Sequence, residues 1–104
     1  MIAMSIITNP PYERAHDFIS HALDLTQPIS GRVAMLLPMA FDCAKTRRSI
    51  FAQHPAFCRK LVLTKRVRWA NLEQKTAGPS MNHAWFVWDW RNEGSDPTIG
   101  YLHG

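Results

Sequence analysis

Two consecutive prolines, Pro10 and Pro11, directly follow the apolar run Met4-Ser5-Ile6-Ile7-Thr8 and limit what this chain can fold into more than any other feature. Each proline removes a backbone donor and fixes φ, so neither a helix interior nor a central strand accommodates the pair. The run is therefore expected to be a short buried strand over residues 4–8. Asn9-Pro10-Pro11-Tyr12 is its stiff exit.

Beyond that exit the hydrophobic period changes. Ala15, Phe18, Ile19, Ala22, Leu23 and Leu25 recur at mostly helical spacing, which predicts an amphipathic helix over residues 13–27, stopped by Pro28 and the turn Ser30-Gly31. Val33-Ala34-Met35-Leu36-Leu37 is continuous in apolar character and closed by Pro38, as suits a strand covered on both faces. Asp42 is a plausible N-cap for a second helix reaching about His54, before Pro55. Leu61-Val62-Leu63-Thr64 predicts a third strand that runs on to Trp69, and residues 70–82 a long loop. The aromatic stretch from Ala84 to Trp90 predicts a fourth strand. The polar residues 91–104 are expected to fray or to add a short edge. The order strand, helix, strand, helix, strand, strand predicts one α/β domain over residues 1–104. Its sheet is mostly parallel, with two main helices and an antiparallel last strand at one end.

The chain carries no apolar run near the ~20 residues of a membrane span, and no secretory leader is legible in its first residues. A soluble, cytoplasmic protein without membrane association is expected. Cys43 and Cys58 form neither a disulfide framework nor a zinc motif, and five scattered histidines predict no metal site. The net charge of +4 suits an anionic partner. Arg47, Arg48, Arg59, Lys60, Lys65, Arg66 and Arg68 concentrate it mid-chain, either as a solvated face or as a footprint for phosphates. Trp85, Trp88 and Trp90 read mainly as core. Trp69, within the basic stretch, is the better candidate for contact with a base.

Asn-Pro-Pro-Tyr after an apolar strand resembles the catalytic motif of the amino-methyltransferases, enzymes that use S-adenosylmethionine to methylate exocyclic or amide nitrogens. The stretch from Gly31 to Pro38 is similar to the strand that follows in that family. Lys65-Arg66-Val67-Arg68-Trp69 and the stretch from His83 to Asp89 look like C-terminal segments of prophage-type DNA adenine methyltransferases. The resemblance implies the substrate-side half of a class I, Rossmann-like methyltransferase fold with a reversed final strand. By the same resemblance, Asn9 and the Pro10 carbonyl would accept hydrogen bonds from the two hydrogens of the target amine, localising its lone pair. Tyr12 would stack on the base, with Pro11 and Trp69 also contacting substrate. Arg47, Arg48, Lys65, Arg66 and Arg68 would face the nucleic acid. A duplex adenine would have to be flipped out to reach them.

The family's cofactor half precedes this motif, and only eight residues precede Asn9 here. None of the five glycines builds the Gly-rich phosphate loop of that half. Weak or absent binding of S-adenosylmethionine is expected of the isolated chain, and no activity as a monomer. The catalytic strand would then be an exposed edge with Ile6 and Ile7 unprotected, and one sheet face would be bare. A homodimer, or a separate cofactor-binding half, is the expected partner besides DNA. Two other readings stay open: part of a glutamine-amide or RNA amino-methyltransferase, and a non-catalytic dimeric or nucleic-acid-binding remnant.

Overall fold

The prolines do end the first strand. The computed structural model describes residues 4–64 and 82–102. β1 (Ser5–Thr8) stops one residue before Asn9, and a 3₁₀ turn at Tyr12–Arg14 leads into α1 (Ala15–Thr26). β2 (Arg32–Pro38) follows, then 3₁₀ turns at Phe41–Cys43 and Lys45–Ile50, β3 (Phe57–Leu63), β4 (His83–Asp89) and β5 (Thr98–Leu102). The five strands form one sheet in the order β1-β2-β4-β3-β5. β1 pairs parallel to β2 and β3 parallel to β5, whereas β4 is antiparallel to both neighbours. Four strands thus share one direction, with β4 reversed between them.

The protein is a mixed α/β structure, and several expectations are corrected by it. The sheet has five strands, not four, because Thr98–Leu102 in the polar tail pairs with β3. The reversed strand lies inside the sheet, not at an end. β4 is the most aromatic strand and takes the central place in the sheet, where Ala84, Phe86 and Trp88 on its covered face are fully buried in the core; β3, one place nearer the edge, carries Arg59 and Lys60. β3 also begins at Phe57, earlier than its apolar core suggested.

There is one main helix, not two. Asp42 does not cap a second helix, since its Oδ1 accepts a 3.0 Å bond from Lys60 Nζ. Ala44 is extended (φ −71°, ψ 137°) and interrupts the segment, which continues only as 3₁₀ turns. Arg47 Nη1 donates to the Phe41 carbonyl at 2.9 Å, a side-chain bond at an oxygen that a helix would have used.

α1 lies on one face of the sheet. Ala15, Ile19, Ala22, Leu23 and Thr26 are its buried side chains, a stripe at helical spacing. Phe18 and Leu25, counted with that stripe in the sequence, are largely exposed. Val33, Met35 and Leu37 of β2 meet the helix, while Phe51 packs edge-on against Phe57 and Phe86 and tilted against Trp88, with centroids 5.2–5.3 Å apart. Trp88 Nε1 donates to Ile50 O at 2.6 Å, so the buried indole is satisfied.

The opposite face carries Ala34, Leu36, Leu61, Leu63, Trp85 and Val87, with Ile7 at its margin. Among the described residues no helix or turn packs over it. Strand alternation puts Trp85 on this second face and Trp88 on the one covered by α1, and Leu36 on the second face is itself buried, so that face is not bare. Residues 4–8, read as a buried strand, are instead a half-exposed edge. Ile6 packs on the core while Ile7 is 68% exposed, so one of the two isoleucines expected to be unprotected is covered. No described helix is long and apolar enough to cross a membrane.

Candidate functional site

β1 and β2 are neighbouring parallel strands, so the Asn9–Tyr12 exit and the chain leaving Pro38 emerge side by side at their carboxyl ends. His83 opposite Pro38 starts β4 at this same end, and Met39 N–H donates to Asn82 O at 2.9 Å. Crevices at the carboxyl ends of strands are where open α/β sheets generally hold ligands.

Within the exit loop the backbone acceptors divide sharply. The Pro11 carbonyl accepts the Arg14 N–H at 3.1 Å and starts the turn into α1. The Pro10 carbonyl receives no hydrogen bond among the described residues, since two prolines and the turn leave no nearby donor aimed at it. Asn9 is exposed, and its side-chain amide likewise has no partner among the described residues. Pro10 itself is buried, anchoring the loop.

Tyr12 is 55% exposed, and its ring stands edge-on to Phe41 at 5.8 Å and 80°. Phe41 is 3% exposed and continues edge-on into Phe51 at 6.0 Å. The Arg47 guanidinium lies 3.7 Å over the Phe41 ring while bonding to that residue's carbonyl. The exposed tyrosine is therefore tied to the aromatic core through one buried ring. Sequence reasoning missed Phe41. The available signal was an aromatic residue three positions after Pro38, just past the end of the strand that lies parallel to the one carrying the motif.

The described basic residues take different directions. Arg47 turns onto Phe41 and is half-buried, whereas Arg48 is exposed. Lys60 pairs with Asp42 on the covered face, and Arg59, next in the strand, reaches Thr98 at 3.5 Å. Lys65, Arg66, Arg68 and Trp69 lie outside the described residues. Trp88 and Trp90 are buried, as a core role requires.

Other reactive groups are accounted for by packing. Burial pushes the Cys58 thiol up, Asp89 adding to the shift, and Cys43 is exposed with its sulfur 3.7 Å from Asp42 Oδ1. Burial pushes His54 below its usual value against the weaker pull of Glu93; its Nδ1 accepts the Ala56 N–H at 3.1 Å. Asp89 sits at the far end of the sheet from the motif. Its hydrogen bonds from Arg91 hold its carboxyl below the usual range, with Arg32 3.5 Å away. No group of three metal-ligating side chains occurs among the described residues. A cavity of about 260 Å³ opens between Phe51, Phe57, Lys60 and Ile99, away from the motif.

None of the described glycines lies between a strand and a following helix: Gly31 precedes β2, Gly94 is in a turn and Gly100 is inside β5. What the exit loop offers is two uncommitted acceptors in consecutive residues, beside an exposed aromatic ring. No protein-family model, characterised protein or solved structure significantly matches this chain.

Proposed function

We propose that this chain is the substrate-side half of an amino-methyltransferase of the Rossmann-like class, most similar to DNA adenine methyltransferases. One observation carries the reading. The acceptors that the chemistry calls for, Asn9 Oδ1 and the Pro10 carbonyl, are the ones the fold leaves without donors, while the Pro11 carbonyl is consumed in starting the helix. Two adjacent acceptors can receive both hydrogens of a flat exocyclic amine and leave its lone pair directed away from the ring. Positioning of this kind is worth more in a site closed to water than in solution. Tyr12 stacks on the ring that carries the amine. Two features of the fold support the assignment: the motif leaves the carboxyl end of β1 beside a parallel neighbour, and a reversed strand follows later in the chain.

S-adenosylmethionine is the methyl donor in this reading. Among the described residues no glycine lies between a strand and a following helix, so in this reading the donor is held outside them. Ile7, 68% exposed at the β1 edge, supports a partner surface there, a second copy or a separate cofactor-binding half.

The test is nuclear magnetic resonance titration with a single-stranded oligonucleotide bearing one adenine. The Asn9 side-chain amide and Tyr12 ring signals are expected to move together, and Asn9→Ala to abolish the response. Movement confined to basic residues would leave only a nucleic-acid-binding remnant. Calorimetry with S-adenosylmethionine and solution mass on the same sample then decide whether self-association creates a donor site.

A further inference from the structure

We propose that Arg47 is a positioning residue that sets the orientation of Tyr12 through the Phe41 ring, without itself contacting phosphate. This rests on the reading of Tyr12 as a base platform. Arg47 grips one residue at two points. Its guanidinium stacks 3.7 Å over the Phe41 ring, and its Nη1 bonds at 2.9 Å to the Phe41 carbonyl. Ring and backbone of Phe41 are thereby fixed together, which a planar, multidonor group can do and an ammonium cannot.

Phe41 is 3% exposed and offers no surface to a ligand, so it acts as a wedge between the core and the site. Its contacts at 80° with Tyr12 and 79° with Phe51 define the angle at which the exposed ring stands. A tyrosine more than half exposed would otherwise exchange among rotamers, and ordering it would cost affinity at each binding event. The arrangement also separates two neighbours that look equivalent in the sequence. Arg47 is committed inward, and Arg48, exposed, is the one placed to meet an anion.

The experiment compares Arg47→Lys, Arg47→Ala and Arg48→Ala by two readouts. The first is the Tyr12 ring resonances of the free protein, with the Trp90 indole N–H, bonded to Thr26, as the control for an intact fold. The second is binding of a single-stranded oligonucleotide containing one 2-aminopurine, measured across salt concentrations. Both Arg47 variants are expected to shift the Tyr12 signals and to weaken binding by roughly tenfold, the scale of a lost base–aromatic stack, with the salt slope unchanged. Arg48→Ala is expected to leave Tyr12 in place and to lower the salt slope by about 0.7, as for one phosphate contact on a single strand.

A Tyr12 signal unmoved in Arg47→Ala overturns the proposal. So does a salt slope that falls in Arg47→Ala and is restored by Arg47→Lys. If the alanine variant loses the Trp90 control signal, the lysine variant alone decides by the same criteria. An oligonucleotide that fails to bind the unmodified protein, while both Arg47 variants still shift Tyr12, removes the base-platform reading and leaves the positioning role standing.

Discussion

Trp90 Nε1 donates a 3.0 Å hydrogen bond to Thr26 Oγ1, joining the last turn of α1 to the end of β4 across 64 residues of sequence. The threonine is fully buried, and its hydroxyl in turn donates to Ala22 O at 2.8 Å. Thr26→Val keeps the volume but strands a buried indole N–H. It is expected to cost about 1–3 kcal/mol in urea unfolding. Adding Trp90→Phe, which removes the stranded donor, should bring the pair below the sum of the two single losses.

Ser30 and Gly31 should respond to substitution in opposite directions. Ser30 occupies the left-handed region at φ 52°, a strain that glycine would not feel, so Ser30→Gly should be neutral to stabilising by up to about 1 kcal/mol. A Cβ on Gly31 would lie 2.7 Å from the Met4 carbonyl, which accepts the Arg32 N–H at 2.9 Å. Gly31→Ala must push the backbone before β1 away from β2 and should destabilise by about 1–3 kcal/mol. Thermal unfolding of the two variants checks the contrast.

Acid should unfold the protein in two stages. His54 has its folded value pushed below 6.5 by burial, so the unfolded chain takes up the proton first. Its contribution is complete above 6.5 and is lost as pH falls from there through the lowered value, where protonation breaks the Ala56 N–H···Nδ1 bond. Asp89, lowered from 3.8 by Arg91, contributes fully above 3.8 and loses that contribution as pH falls below it. In stability measured against pH, His54→Gln should flatten the upper slope and Asp89→Asn the lower one. A slope unaltered by either change would refute the assignment.

Asn9→Ala should leave stability within about 0.5 kcal/mol of the original, because the side chain is exposed and makes no hydrogen bond among the described residues. Any loss of amine or base binding in that variant then reports on the site and not on the fold. Phe51→Ala makes the complementary control. It opens the centre of the aromatic core and should cost about 3–5 kcal/mol.

The sequence made the helix and the proline-stopped strands legible because those elements follow local rules: helical spacing in residues 15–26 and prolines that cannot pair. It gave a weaker account of residues 42–54, where Asp42 looks like a cap until Lys60, eighteen positions away, claims it. The place of β4 was equally hidden, since strand order depends on which strand buries most side-chain surface at the centre of the sheet, a property of packing and not of local sequence. The turn Ser30-Gly31 was legible, but not the division of work within it: Ser30 adopts the left-handed conformation and Gly31 allows the close approach of Met4. Within the site, Asn9 to Tyr12 were found from the motif, but Phe41 and the inward turn of Arg47 are products of packing between two loops.

The reversal of β4 has a consequence for how this architecture tolerates change. β3 ends at Leu63 and β4 begins at His83 on adjacent, oppositely directed strands, so the connection leaves and returns on the same rim as Asn9, about one inter-strand spacing apart. Closing a longer connection over so short a span costs little more than closing a shorter one. What the sheet fixes is the spacing of these two ends, so the rim that carries Asn9 is a place where this architecture can admit change while the strand pairing stays as it is.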